Sequence, residues 1–308
     1  MTFVPSGEQI EIVHGEQRAT VVEVGGALRA LHVGDRAVLD GYAREEMCTG
    51  GRGQTLLPWP NRLQDGTYEF DAQQFLLPLT EPEKGNAIHG LVRWVNWTVA
   101  ERADHRVVMA HSQRPQPGYP FALRVFNEYS LGDDGLTVTT TAHNVGDHAC
   151  PYGTGAHPYI TVGTELLDVA TLHVPATQSL IADERQIPVG RRALTGTAED
   201  FSRPRLIGPT ALDTAFTALQ RDGEGRARVV LRAPDGGPRV TVWMDRAHDY
   251  VMVFTGDSLS EPARRRRGLA VEPMTCAPNA FRSGGGLRRL EPGASFTSRW
   301  GIEYETRA

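Results

Sequence analysis

The sequence has few cysteines and no long apolar run. Its 308 residues include three cysteines, Cys48, Cys150 and Cys276, an odd number without metal-ligand spacing. We therefore expect reduced thiols and no disulfide framework. No stretch approaches the roughly 18 apolar residues of a membrane-spanning helix. The first residues lack the basic segment and apolar run of a signal peptide. These absences predict a soluble, cytoplasmic protein with no membrane partner.

The sequence also lacks a basic excess. The net charge is −5 and the isoelectric point is about 6.1, which argues against a nucleic-acid partner. Hydrophobic residues make up 40% of the chain, enough for a large core. This length permits two ordinary domains or one large β domain. Because we find no linker, composition shift or internal repeat, we expect one domain over residues 1–308.

Short segments of alternating apolar and polar residues run along the whole chain and predict strands. They are residues 9–13, 19–24, 68–77, 106–110, 123–129, 136–142, 226–233, 239–244 and 295–304. Turn signals rich in glycine and aspartate lie at 132–135, 222–225 and 234–237. Helical spacing is weak, and only 209–219 could hold one or two turns. The pattern predicts an all-β fold, a sandwich or a barrel.

Four segments place titratable side chains in irregular or apolar surroundings. Asn61 and Arg62 follow a stiff Pro-Trp-Pro loop, His89 precedes a glycine, and His157 lies between a glycine-rich turn and a proline. Glu272 ends an apolar run, where burial would raise its pKa and make it a usable base. Taken singly, each residue also has a structural explanation, such as a surface arginine, a core histidine or a solvated carboxylate.

Other patterns give weaker hypotheses. The four arginines at 264–267 could bind a phosphate, although such runs are usually solvated loops. The glycines at 284–286 lack the strand–loop–helix context of a nucleotide site. His143 and His148 lie on or beside a predicted strand with no third ligand evident, so no metal site is predicted.

Taken in order, short motifs of this chain resemble the aldose 1-epimerase family from about residue 20 to the C-terminus. The motifs are Asn61-Arg62-Leu63, Gly66-Thr67-Tyr68-Glu69-Phe70, Asn86-Ala87-Ile88-His89-Gly90, His157-Pro158-Tyr159, Glu199-Asp200-Phe201, Leu212-Asp213-Thr214, Phe254-Thr255-Gly256 and Ala270-Val271-Glu272-Pro273. No single motif is specific, but the ordered set is. The resemblance implies a single large antiparallel β-sandwich, the galactose mutarotase-like supersandwich.

The resemblance also implies a cofactor-independent isomerase that interconverts the α and β anomers of free aldoses. It places Glu272 as general base and His157 as general acid. Substrate-binding positions fall at Asn61, Arg62, His89, Tyr159 and Asp213, and Trp59 or Tyr159 could stack on a sugar face. The implied partner is a small sugar, and the implied assembly is a monomer or a homodimer. Ring opening moves protons only, so no metal or other cofactor is expected.

Two alternatives stay open. The arginines at 264–267 suggest an epimerase for a phosphorylated or sulfated sugar. A non-catalytic carbohydrate-binding protein on the same scaffold is the other, although such a protein would not need both an acid and a base. The chain departs from the family at Ile160-Thr161, at Met252 and in the residues that follow Glu272, so the resemblance leaves the sugar open: glucose, galactose or a related aldose.

Overall fold

The computed structural model of the protein describes residues 3–306, which form antiparallel sheets with very little helix. The strands are β1 (Gln9–His14), β2 (Gln17–Val22), β3 (Ala27–Val33), β4 (Arg36–Ala37), β5 (Thr55–Leu56), β6 (Arg62–Gln64), β7 (Thr67–Phe70), β8 (Gln73–Leu76), β9 (Asn86–Ile88), β10 (Thr98–Ala103), β11 (Arg106–Gln113), β12 (Leu123–Gly132), β13 (Gly135–Asn144), β14 (Cys150–Tyr152), β15 (Gly155–Ala156), β16 (Tyr159–Ile160), β17 (Thr171–His173), β18 (Ala176–Ala182), β19 (Pro188–Ala193), β20 (Arg205–Leu206), β21 (Asp213–Leu219), β22 (Ala227–Arg232), β23 (Arg239–Met244), β24 (Tyr250–Phe254), β25 (Leu269–Met274), β26 (Arg288–Leu290) and β27 (Ser295–Glu305). The helical elements are one short α-helix, α1 (Ala280–Ser283), and 3-10 turns at Pro82–Lys84, Leu167–Val169 and Pro262–Arg264.

Two large sheets dominate the fold. One has nine strands in the order β10-β11-β12-β13-β27-β23-β22-β17-β20. The other has eight strands, in the order β19-β18-β21-β24-β25-β15-β5, with β16 also paired to β25. Smaller sheets are β1-β2-β3-β4, β14-β26, β6-β9 and β7-β8. No helix within residues 3–306 is long and apolar enough to cross a membrane.

The period-two pattern of the sequence explains the nine-stranded sheet. Buried and partly exposed residues alternate along β12 and β13, and these strands join through the predicted turn at 132–135. The fold is therefore all-β and antiparallel, as predicted. Two local predictions are wrong. The segment 68–77 is not one strand, because Asp71 and Ala72 take left-handed φ angles of 51° and 59° and form a turn between β7 and β8. The segment 209–219 contains strand β21 and no helix.

One contiguous hydrophobic core joins the two large sheets. It includes Val125 and Val138 of the nine-stranded sheet and Phe216 and Val271 of the eight-stranded sheet. The single-domain assignment for 1–308 stays a prediction. Strand β25 is an inner strand, paired with β24 at one edge and with β15 and β16 at the other, and all six of its residues are buried. A side chain on β25 can therefore reach solvent only through a cleft.

A buried polar bridge also links the sheets. Asn127 on β12 donates from Nδ2 to the Thr55 hydroxyl of β5 at 2.7 Å and accepts from the Thr140 hydroxyl at 2.7 Å. All three residues are buried, so each hydrogen bond satisfies a group that has no access to water.

Candidate active site

A cleft of about 610 Å³ opens over the buried strand β25. All seven site residues predicted from the sequence line it: Asn61, Arg62, His89, His157, Tyr159, Asp213 and Glu272. They come from segments far apart in the chain, and the sheet register brings them together. Asp213 and Glu272 lie on strands β21 and β25, each paired to β24, whose Met252 and Phe254 also line the cleft.

The floor of the cleft holds His157 and Glu272. His157 Nε2 lies 3.3 Å from Glu272 Oε1, and both side chains are almost fully buried. The partner strand of β25 is interrupted between β15 and β16, and this interruption contains His157 and Pro158. The break lets the imidazole face Glu272. The structural alternative of a solvated Glu272 is wrong, because its exposure is 3%.

Burial moves the proton affinities of this pair in opposite directions. Desolvation, and next the charge of Asp213, raises the pKa of Glu272 to about 8. Desolvation, and next the positive charge of Arg93, lowers the pKa of His157 to about 3. Both effects disfavour the charged form of a buried group. Between about pH 3 and about pH 8, His157 is therefore neutral and Glu272 keeps its proton, so the pair carries one titratable proton. Two buried polar atoms, His157 Nδ1 and Glu272 Oε2, have no hydrogen-bond partner within residues 3–306.

His89 forms the adjacent wall, with its ring centroid 5.3 Å from that of His157. Its Nδ1 accepts a hydrogen bond from the Asn61 backbone N–H at 3.1 Å, and its own backbone N–H donates to the Asn61 carbonyl at 2.9 Å. Asn61 and His89 have left-handed φ angles of 58° and 64°, a backbone conformation uncommon outside glycine. Burial lowers the pKa of His89 well below its usual range, so the ring is neutral.

The hydrogen bond to Nδ1 decides what His89 can do. Because Nδ1 accepts, the proton of the neutral ring is on Nε2, which is then a donor. Ligand atoms of His89, His157 and Glu272 lie within 4.8 Å of one another, a spacing that invites comparison with a metal site. A metal-bound histidine normally donates its other N–H to an acceptor. His89 instead accepts a hydrogen bond at its other ring nitrogen, Nδ1. Its Nε2–H therefore fits a donor to a hydroxyl group better than a metal ligand.

Arg62 and Asp213 add opposite charges above the pair. Arg62 donates from Nε and Nη2 to the two carboxylate oxygens of Glu81, at 2.8 and 2.9 Å. Burial raises the pKa of Asp213, while the charge of Arg62 opposes this shift. The side-chain oxygen of Asn61 accepts from the Arg62 backbone N–H at 2.9 Å, so Asn61 shapes the turn before β6.

Tyr159 supports His157. Their rings stack at a centroid distance of 5.1 Å and an interplanar angle of 12°. The Tyr159 hydroxyl donates to the Gly50 carbonyl at 2.9 Å, and the Arg52 guanidinium lies 4.5 Å from the ring centroid. Gly51 packs against the same imidazole, and a Cβ there would lie 2.8 Å from His157 Cδ2. These contacts hold His157 in one orientation.

Sequence reasoning missed several residues of the cleft and misplaced one. Arg52, Glu81 and Arg93 all line it. The glycines at 50, 51 and 53, with left-handed φ angles, are the signal that could have pointed to Arg52. Trp59 is buried in the core, 5.5 Å from the Phe281 ring, and does not line the cleft, so its predicted sugar-stacking role is wrong.

The arginines at 264–267 do not form one site. Arg264 lines the cleft but is paired with Glu46 and Glu261. Arg266 binds Asp168 and Asp257, and Arg267 lines a different cavity. Arg93 lines the cleft and differs from Arg264 and Arg266, because no carboxylate pairs with it in the part of the chain that the structure describes. Its Nη atoms donate to Gln54 Oε1 at 3.4 Å and the Ile88 carbonyl at 3.2 Å, and its buried Nε has no partner there.

The fold and the cleft together define a class of protein: an antiparallel β-sandwich with a buried histidine–glutamate pair surrounded by hydrogen-bonding side chains. The profile of the aldose 1-epimerase family matches residues 8–303, and the chain belongs to that family.

Relatives and solved structures agree with this assignment. The chain is 34% identical over 289 residues to the uncharacterized protein YihR of Escherichia coli (strain K12), covering 94% of this chain and 90% of YihR. A galactose mutarotase-like protein from Clostridium acetobutylicum superposes with a TM-score of 0.85 at 19% identity, covering 97% of this chain and 95% of that one. Galactose 1-epimerase from Lactobacillus acidophilus NCFM gives 0.82 at 18% identity, with 97% and 95% covered. At these identities the two structures support the fold alone.

Proposed function

We propose that the protein is a cofactor-independent mutarotase that interconverts the α and β anomers of a free aldose. The observation that supports this most is the buried pair of His157 and Glu272, whose facing atoms are 3.3 Å apart on the floor of the cleft. The two oxygens that exchange protons in ring opening, O1 and O5, are bonded to the same carbon. One base and one acid lying side by side are therefore suited to serve both.

The reaction needs no net change in protons. At neutral pH the shared proton is on Glu272, so it first moves across the 3.3 Å contact to His157. The ionised Glu272 then takes the proton from the C1 hydroxyl as the His157 imidazolium gives its proton to the ring oxygen, the C1–O5 bond breaks, and an aldehyde forms. The aldehyde rotates about C1–C2, and the C5 hydroxyl closes on its other face with the two roles reversed. Each such proton transfer contributes roughly 10²–10⁴-fold to the rate. This cycle requires one titratable proton on the pair, and the pair carries one between about pH 3 and about pH 8.

The remaining polar groups would bind sugar hydroxyls. His89 offers a donor from Nε2, Arg62 a guanidinium edge, and Asp213 an acceptor. Tyr159 would act mainly by holding His157, because its hydroxyl is already engaged. The cytoplasmic location, and the choice between monomer and homodimer, stay predictions.

The test is polarimetry on freshly dissolved α-glucose and α-galactose. The wild type should speed the approach to anomeric equilibrium on at least one sugar, and Glu272→Gln should not. Glu69→Gln, which alters an exposed carboxylate on β7, is the matched control and should retain full activity. If the wild type does not exceed buffer on either sugar, free-aldose mutarotation is the wrong activity. Calorimetric sugar binding without turnover would then support the carbohydrate-binding alternative.

A second candidate, an anionic aldose such as a sugar phosphate or sulfate, is favoured by Arg93. An unpaired guanidinium that is partly buried, with a buried Nε that has no partner within residues 3–306, is costly unless a ligand neutralises it. Turnover of glucose should be compared with that of glucose 6-phosphate and glucose 6-sulfate, in the wild type and in Arg93→Gln. A preference for an anionic sugar that the substitution abolishes would establish this candidate. A strong preference for free sugars in both proteins would end it.

A further inference from the structure

Arg62 is held at one edge only. Its Nε and Nη2 donate to both carboxylate oxygens of Glu81, and the guanidinium and the carboxylate are each nearly buried, with side-chain exposures of 11% and 12%. Its Nη1 makes no hydrogen bond within residues 3–306 and belongs to a side chain that lines the cleft. This two-bond geometry fixes the plane of the guanidinium as well as its position. The free edge is thereby left facing the space where a ligand would lie.

Glu81 is itself fixed by a compact loop. Asn86 donates from Nδ2 to Glu81 Oε2 at 3.1 Å, and Asn86 is fully buried. The backbones of the two residues also exchange hydrogen bonds of 2.9 and 3.1 Å. The 3-10 turn Pro82–Lys84 lies between them and ends at Gly85, which has a left-handed φ of 66°. The Glu81 carboxylate is thus anchored by its own chain and by a buried amide.

A distant segment ties this loop down. Arg185, in the turn between β18 and β19, donates to the carbonyls of Lys84 and Gly85, each at 2.7 Å. Asn86 Nδ2 donates in return to the Arg185 carbonyl at 2.9 Å. The contact is close, since a Cβ on Gly85 would lie 2.9 Å from Arg185 Nη2. These bonds connect Arg185, Asn86, Glu81 and Arg62 in one chain that ends in the cleft.

We propose that Glu81 is a positioning residue, which holds Arg62 so that one guanidinium edge is presented to a hydroxyl of the bound sugar. The proposal rests on the proposed function, because it takes the cleft to be the sugar site. Glu81 would act on binding and leave the proton transfers at Glu272 and His157 unchanged. Loss of its charge should therefore raise KM and leave kcat nearly intact.

Glu81→Gln tests this with little change of shape. We expect KM for the preferred aldose to rise about 10- to 100-fold, the range for a hydrogen bond to a charged group, with kcat within about twofold. Glu81→Asp retains the charge but shortens the reach, and should give a smaller rise. Glu101→Gln is the matched control, because it removes a carboxylate from an exposed arginine pair on β10, and should change neither constant.

A double-mutant comparison separates positioning from a merely structural role. If Glu81 acts through Arg62, adding Glu81→Gln to Arg62→Ala should leave KM as it is in Arg62→Ala alone. A further large loss in the double mutant, or a fall in kcat without a change in KM, would overturn the proposal. If the wild type shows no turnover, the same variants are compared by calorimetric titration with glucose and galactose. Binding that weakens in Glu81→Gln would then uphold Glu81 although the proposed catalysis had failed, and unchanged or undetectable binding would overturn it.

Discussion

The proton shared by Glu272 and His157 determines how activity should respond to pH. Ring opening uses one proton on the pair, whichever residue holds it at the start. Because the pKa of Glu272 is raised to about 8 and that of His157 is lowered to about 3, the pair keeps one proton throughout this interval. We expect kcat/KM to be constant from about pH 5 to about pH 7 and to fall above pH 8, because kcat/KM reports ionisations of the free enzyme.

The size of the fall follows from the same pKa. One unit above a pKa of about 8, roughly a tenth of the pairs retain the proton, so kcat/KM at pH 9 should be about tenfold below the plateau. A mechanism that needed only an ionised Glu272 gives the opposite sign. Activity would then rise about tenfold for each unit up to pH 8 and stay high above it. The two mechanisms therefore differ in direction and not merely in degree.

The measurement is the rate of approach to anomeric equilibrium of α-glucose, or of the better substrate, between pH 5 and pH 9. The uncatalysed rate at each pH must be subtracted, because base also catalyses mutarotation. Circular dichroism at each end of the range checks that the fold is intact. A kcat/KM that climbs steadily through pH 8 would refute the one-proton pair.

Three further predictions concern stability and local geometry. Because the pKa of Glu272 is raised in the folded protein, the wild type should lose stability as pH rises from about 4.5 to about 8. The free energy of unfolding of Glu272→Gln at pH 8, measured by thermal unfolding, should therefore exceed that of the wild type by up to about 3–5 kcal/mol. Gly51→Ala should displace His157 and cost about 10²-fold in turnover, whereas Gly163→Ala, at a similar left-handed φ in open space, should not. Asn127→Ala should cost about 1–3 kcal/mol in denaturant unfolding, because it leaves two buried hydroxyls unpaired, and an unchanged midpoint would contradict this.

Local pattern was enough to predict some of the strands, and the family resemblance supplied seven residues of the candidate site. Alternation in 123–129 and 136–142 predicted β12 and β13, because a strand with one buried face needs apolar side chains at every second position. The ordered motifs, through the family resemblance, identified seven residues, and all seven line the cleft. Prediction failed where a backbone conformation broke the pattern, as at the left-handed Asp71 and Ala72.

The relations between distant residues depended on the tertiary structure. The burial of Glu272 depends on what packs over the face of the sheet at β25, and its approach to His157 requires the gap between β15 and β16. Burial then sets the proton affinities, which no local pattern contains. The same holds for the pairing of Arg62 with Glu81 and for the unpaired charge of Arg93, since each depends on which charges the fold brings near. Sequence alone determined which chemical groups were present, and the packing of the sheets decided their distances, their desolvation and their partners.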